Sequence, residues 1–241
     1  MKDNTIHFKI FSQFDGLING ISTRDFGSMK DHGQVNYSNI NAFLKTLDVD
    51  PDRLVLPEQV HGSNCVILND LPSEKFIKDT DGLITANKNI FMGVLTADCI
   101  PILFYDSEKK IAGIGHGGFR GLSGHIIKEI IEKFRVLGSN VRNLWVGIGP
   151  GIGNCCYCVS RDRIAMFQEI IPLDDSWYRK ERELFFMDLK RVAWLQLKEE
   201  GIPEDHIEVS DICTMHQSDR FYSYRKEGDN AGRFISIIGV I

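Results

Sequence analysis

Apolar residues in this chain gather in two kinds of run. Three stretches, 91–95, 100–105 and 111–115, are rich in Ile, Val, Leu and Phe and separated by turn-type residues. Runs of that length and bounding read as strands. Shorter runs predict further strands over 6–11, 17–22, 54–57, 64–68, 83–85, 144–148 and 234–240. Elsewhere the apolar positions recur every three or four residues. Ile126, Ile127, Ile130, Ile131, Phe134 and Leu137 form one stripe, which predicts a helix capped at Ser123 and stopped by Gly138. Ile40, Phe43, Leu44 and Leu47 predict a shorter helix with Ser38 as its cap, and 161–170 reads as a third. A fourth runs over 189–200, capped by Asp188 and ended by Gly201 and Pro203.

Composition adds limits. The chain has 241 residues, 43% hydrophobic and 25% charged, with no linker-like tract, so a single domain over 1–241 is expected. The formal net charge of −5 argues against a sequence-independent nucleic-acid binder, which normally shows a basic face. The opening MKDNTIHFKIFSQF breaks its apolar residues with charges and amides, so neither a signal-peptide core nor a membrane span is expected. A cytoplasmic protein follows as the expectation. There the six cysteines would serve as thiols or metal ligands rather than as a disulfide framework.

The candidate chemistry sits at strand ends. Thr96-Ala97-Asp98-Cys99 precedes Pro101, and Gly115-His116-Gly117-Gly118-Phe119-Arg120-Gly121 follows the third apolar run. The glycines there would let the backbone approach closely or take a positive φ. Upstream, His61 stands in Glu58-Gln59-Val60-His61-Gly62. His61, Cys99 and His116 make a Cys/His₂ set of the kind that holds a catalytic zinc and leaves one position open. They are 38 and 17 residues apart, so no local finger is formed. The same residues also suit a metal-free Cys99 nucleophile with His61 or His116 as base and Asp98 or Asp81 orienting it. Gly113-Ile114-Gly115-His116-Gly117-Gly118 has the form of a dinucleotide-binding turn, but residues 139–146, toward the end of the next strand where that fold places its acid, carry none. Cys155-Cys156-x-Cys158 and Cys213-x-x-His216 are weaker metal signals.

Ten short motifs occur in order: STR at 22–24, QVHG at 59–62, DG at 81–82, TADCIP at 96–101, HGGFRG at 116–121, GPGIGNCCYCV at 149–159, DL at 188–189, CT at 213–214, FYSYR at 221–225 and GR at 232–233. Taken together they resemble the YfiH family, long labelled multicopper polyphenol oxidases or laccase-domain proteins and now mostly described as zinc-dependent purine nucleoside enzymes. The resemblance implies a single mixed α/β (α+β) domain, with β-sheet layers at the centre and helices outside. It also implies Zn²⁺ held by His61, Cys99 and His116, with copper ranked lower. Three positions depart from the family form. Gly117 and Phe119 replace the alanine and tryptophan of HAGWRG, which should loosen the turn and remove an indole from the wall. Cys158 stands where a glutamate is usual.

The activities implied are phosphorolysis of adenosine, inosine, guanosine and methylthioadenosine, and hydrolytic deamination of adenosine. A purine ring requires a proton donor or acceptor, for which Asp98 and Glu58 are the candidates beside Cys99. A phosphate dianion requires cations, and Arg120, Arg24, Arg225 and Arg233 carry the bidentate guanidinium that suits it. Gln59 and Phe119 are further substrate-contact candidates, Phe119 by stacking on the base. Two other functions use the same residues: a cysteine- or zinc-dependent amidohydrolase acting on a peptidoglycan precursor, and a copper-dependent polyphenol oxidase. The oxidase ranks last, because the seven histidines lack the His-x-His pairs of a trinuclear copper cluster.

Overall fold

Alternation along the central strands builds two stacked sheets. In the computed structural model, which describes residues 4–31, 33–171 and 176–241, a five-stranded sheet runs in the order Leu17–Ile21, Phe234–Val240, Phe91–Thr96, Leu54–Pro57, Phe76–Ile77. A six-stranded sheet runs Ile207–Val209, Leu144–Ile148, Ile100–Asp106, Ile111–Gly117, Gly82–Thr85, Cys65–Ile67. Strand Ile100–Asp106 shows how one segment serves two layers. Ile100, Ile102 and Phe104 point to a core shared with helices Ile126–Val136 and Leu189–Glu199, while Leu103 and Tyr105 point to the core between the sheets. In Phe234–Val240, Phe234, Ile238 and Val240 face the inter-sheet core, and Ile235 and Ile237 face helix Tyr37–Thr46. The order of layers is therefore helix, sheet, sheet, helices. The mixed α/β domain with central sheets is what the chain forms.

Gly113 and Gly115 have a packing role. A Cβ at Gly113 would lie 2.8 Å from Phe134 Cε2, and one at Gly115 would lie 2.5 Å from Ile130 Cδ1. Two missing side chains thus let helix Ile126–Val136 lie directly on strand Ile111–Gly117. This accounts for the glycine pattern without a dinucleotide.

Several elements differ locally from the sequence expectations. Residues 6–11 give a single bridge, Ile6 to Ile21, and a 3₁₀ turn Lys9–Phe11 in place of a strand. Asn36, not Ser38, caps helix Tyr37–Thr46, its side chain accepting from Asn39 N–H. Ser123 closes a separate short helix, Phe119–Ser123, and the long helix starts after His125 in the left-handed region. Strand Ile111–Gly117 extends past the expected end, so His116 lies in the sheet. Asp188 does cap helix Leu189–Glu199, accepting from Arg191 N–H, and Gly138 ends its helix at φ +83°. A hairpin, Tyr178–Glu181 with Leu184–Met187, was not foreseen. Among the described residues no helix is long and apolar enough to cross a membrane.

Candidate metal centre and cleft

Three segments bring His61, Cys99 and His116 together. His116 projects from strand Ile111–Gly117 and is buried. Cys99 occupies the tight turn between strands Phe91–Thr96 and Ile100–Asp106, where Asp98 takes φ +83°. His61 lies in the loop after strand Leu54–Pro57 at φ +60°. Each residue offers a ligand atom, and these atoms all lie within 4.8 Å of one another. The two imidazole rings stand 4.8 Å apart at 72°.

One carboxylate organises both histidines. Asp81, fully buried, accepts the N–H groups of Val60 (3.2 Å), His61 (3.1 Å) and Gly62 (2.7 Å). Its Oδ1 also lies 2.7 Å from His116 Nδ1. Asp81 therefore holds the strained loop at His61 and fixes which His116 nitrogen is left for a ligand, Nε2. Burial would raise the Asp81 pKa, but the hydrogen bond and charge of His116 and the N–H groups of Gly62 and Val60 outweigh it and lower the pKa.

The sulfur is correspondingly activated. Burial would push the Cys99 thiol up, but the charge and hydrogen bond of His116, with those of His61, hold it at about 6. Burial would likewise depress His116, but the Cys99 thiolate and the Asp81 hydrogen bond raise it to about 9. Between those values the pair is thiolate and imidazolium. Gly118 completes the floor: a Cβ there would lie 3.0 Å from Cys99 Sγ and 3.4 Å from His61 Cδ2. A clustered thiolate, two imidazoles and an open approach fit a Cys/His₂ metal centre.

The three residues open into a cleft of about 1000 Å³. Lys30, Lys78, Arg120, Arg163, Arg225 and Arg233 line it, against the acids Glu58, Glu74 and Asp98, so the cavity favours an anion. Phe119 lines it beneath the Arg163 guanidinium, 4.6 Å from its ring centroid, with its edge to Phe167. Arg163 also donates to Tyr157 Oη at 3.4 Å. The loop 149–158 packs under the Cys99 turn, as expected of its glycines, with Ile152 N–H donating to Asp98 O at 2.9 Å.

The remaining expected site residues divide. Glu58 and Arg120 line the cleft, exposed. Arg225 and Arg233 line it too, Arg225 donating to Cys158 O (2.8 Å) and Arg233 to Ala231 O (2.5 Å) and Gly232 O (2.9 Å). Arg24 does not line it. Its guanidinium pairs with Glu227, donates to Phe221 O and stacks over Tyr222. Gln59 reaches the cleft wall, but its amide bonds both the N–H and the carbonyl of Leu95 at 2.8 Å. Asp98 accepts from Thr214 Oγ1 and from Arg225 N–H, both at 2.6 Å, so both of its oxygens are engaged in holding the chain. Sequence reasoning missed Arg163, Tyr157 and Thr214. Tyr157 and Thr214 lay inside quoted motifs, but Arg163 carried no signal beyond its helix.

The chain is similar to several known proteins. A family model described as multi-copper polyphenol oxidoreductase laccase matches residues 19–241. The purine nucleoside phosphorylase YlmD of Bacillus subtilis is 34% identical over 167 residues, which span 68% of this chain and 60% of that protein. A purine nucleoside phosphorylase of Clostridium acetobutylicum is 32% identical over 93% of this chain and 89% of its own length. Adenosine deaminase RL5, from an unknown prokaryotic organism, is 30% identical over 78% of this chain and 75% of its own length. Among solved structures, the hypothetical protein YfiH of Bacillus licheniformis superposes with a TM-score of 0.88 at 28% identity, covering 98% of this chain and 96% of that one.

Proposed function

This chain belongs to the family described as multi-copper polyphenol oxidoreductase laccase, and from that premise we propose that it is a zinc-dependent enzyme of purine nucleosides. Its reactions are phosphorolysis of adenosine, inosine, guanosine or methylthioadenosine and hydrolytic deamination of adenosine. The observation that carries the proposal is the convergence of His61, Cys99 and His116 at the floor of a cation-lined cleft. The names of the relatives support the substrate class.

His61, Cys99 and His116 would hold the zinc, which when bound supplies Lewis acidity and lowers the pKa of a water molecule. The rest falls to the chain. Asp81 keeps His116 Nδ1 occupied and the His61 loop in place. Arg120, Arg163, Arg225 and Arg233 bind phosphate, each guanidinium having several N–H donors in a planar fork. Phe119, fixed between Arg163 and Phe167, offers a ring face or edge to the base. Glu58, whose carboxylate has no side-chain partner among the described residues, moves the proton at the purine ring nitrogen. Asp98 acts as a positioning residue, setting Thr214 and the start of helix Tyr224–Glu227.

Copper oxidation fits the donors poorly. Among the described residues the groups able to hold a metal are this triad and one further cluster with a single histidine, too few for a trinuclear copper site; His32 lies outside the described residues. The low thiol pKa favours a second reading, a Cys99-dependent amidohydrolase acting on a peptidoglycan precursor.

The deciding experiment is turnover of adenosine with phosphate on metal-quantified protein, read by chromatography, in the native chain and in Cys99→Ala. Adenine or inosine formation that disappears together with zinc in the variant supports the nucleoside reading. Stoichiometric zinc with no purine product overturns it.

A further inference from the structure

A second group of metal-ligating side chains converges away from the cleft. Cys155, Cys156, Cys213 and His216 contribute three sulfurs and an imidazole nitrogen that lie within 4.8 Å of one another. In sequence they are two fragments, an adjacent cysteine pair and a Cys-x-x-His. The fold joins them through a parallel bridge between Gly151 and Cys213 and the bond from Thr214 N–H to Gly151 O, 3.1 Å. Adjacent cysteines usually diverge. Here the turn closed by Cys156 N–H and Tyr157 N–H on Gly153 O, at 3.0 and 2.9 Å, brings both into the cluster.

We propose that Cys155, Cys156, Cys213 and His216 form a second metal site, a closed Cys₃His set that binds Zn²⁺ and ties loop 149–158 to segment 213–216. Tetrahedral zinc, with Zn–S about 2.3 Å and Zn–N about 2.0–2.1 Å, places ligand atoms about 3.6–3.8 Å apart. Cys155 Sγ and His216 Nδ1 already stand 3.5 Å apart. Cys213 Sγ accepts Gly153 N–H at 3.2 Å, a backbone donor of the kind that orients a metal ligand. Zinc with three thiolates carries one net negative charge, and buried Lys190, anchored on Ser210 O and Ile212 O, stands within electrostatic reach of Cys213 and Cys155. Soft thiolate donors select zinc over magnesium or calcium.

The two sites share no ligand. Cys155 and Cys213 line a separate recess of about 500 Å³. Four protein ligands leave no open position, so the second site is structural. It bears on the cleft indirectly, since Thr214, next to Cys213, holds Asp98 beside Cys99.

The test is metal content of the full chain, reduced, loaded with Zn²⁺ and dialysed. Two zinc ions per native chain are expected, one in Cys99→Ala and one in His216→Ala or Cys155→Ser. In Cys99→Ala loaded with Co²⁺, sulfur-to-cobalt charge-transfer bands with tetrahedral d–d bands are expected and should be lost on adding His216→Ala, an exposed position chosen so that the variant folds. One zinc per native chain and none in Cys99→Ala overturns the proposal, as does a disulfide within the cluster in freshly reduced protein. Loss of metal from Cys155→Ser alone leaves the nucleoside reading standing, and lack of nucleoside turnover leaves this one standing.

Discussion

Asp81 Oδ1 lies 2.7 Å from His116 Nδ1 while the same carboxylate receives the N–H groups of Val60, His61 and Gly62. One buried side chain therefore orients one imidazole directly and the other through its backbone. Asp81→Asn replaces an acceptor oxygen with N–H groups that face other N–H donors. Zinc affinity at the cleft, measured by chelator competition, should fall about 10- to 100-fold, with Cys99 still present. Unchanged affinity would mean that the histidines hold themselves.

Much of this site was legible, because the strands that carry Cys99 and His116 are marked by continuous apolar runs. The role of Asp81 was only half legible: Asp81-Gly82 reads locally as a turn, and the N–H groups it accepts come from residues some 20 positions away. Gly117 was misread. No positive φ occurs between Gly115 and Gly121, and a Cβ at Gly117 would sit 2.6 Å from Ile100 Cγ1. The space of the family's alanine methyl is filled by Ile100, so the turn is packed rather than loosened. Arginines were the least legible, since nothing local tells that Arg24 turns to Glu227 while Arg163 turns to the cleft.

That contact gives a paired expectation. Gly117→Ala should destabilise the fold by about 1–3 kcal/mol through overpacking, seen as a lowered Tm. Adding Ile100→Ala removes Cγ1 itself, so the double variant should lose less than the sum of the two single changes. Additive destabilisation by the two changes would place the strain elsewhere.

Gly118→Ala tests the floor of the site. The new methyl would lie 3.0 Å from Cys99 Sγ, which would have to give by a few tenths of an ångström, and in van der Waals contact with His61 Cδ2 at 3.4 Å. Zinc binding and turnover should drop on the order of tenfold or more while Tm in the metal-free state changes little. Full zinc occupancy with normal turnover would show that the approach over Gly118 is not used.

The thiol pKa predicts a pH profile for metal-free protein. Thiolate is the form that alkylates, and for Cys99 it forms as pH rises through about 6. Iodoacetamide labelling, located by peptide mass, should therefore be half-maximal near that pH. Cys65, held well up by burial and Glu129, should stay unlabelled. His116→Ala removes the cation that favours the thiolate, so the Cys99 midpoint should move upward toward that of a free cysteine. A midpoint already there in the native chain would deny the pairing.

Phosphate selection separates the arginines. Arg225 is fixed by Cys158 O and by its backbone bond to Asp98, and Arg233 by two carbonyls, so each presents its remaining N–H groups to the cleft with little freedom to lose. Arg24 is occupied by Glu227 and Phe221 and lies off the lining. In phosphorolysis assays Arg225→Ala and Arg233→Ala should each raise the KM for phosphate on the order of tenfold, the scale of one lost charged hydrogen bond. Lysine at either position should rescue only in part, because an ammonium cannot reproduce the planar fork. Arg24→Ala should leave that KM in place and lower Tm instead, through loss of its ion pair and its stack on Tyr222. Deamination of adenosine uses no phosphate, so Arg225→Ala and Arg233→Ala should spare it relative to phosphorolysis. Equal loss of both reactions would assign the two arginines to the nucleoside and not to the anion.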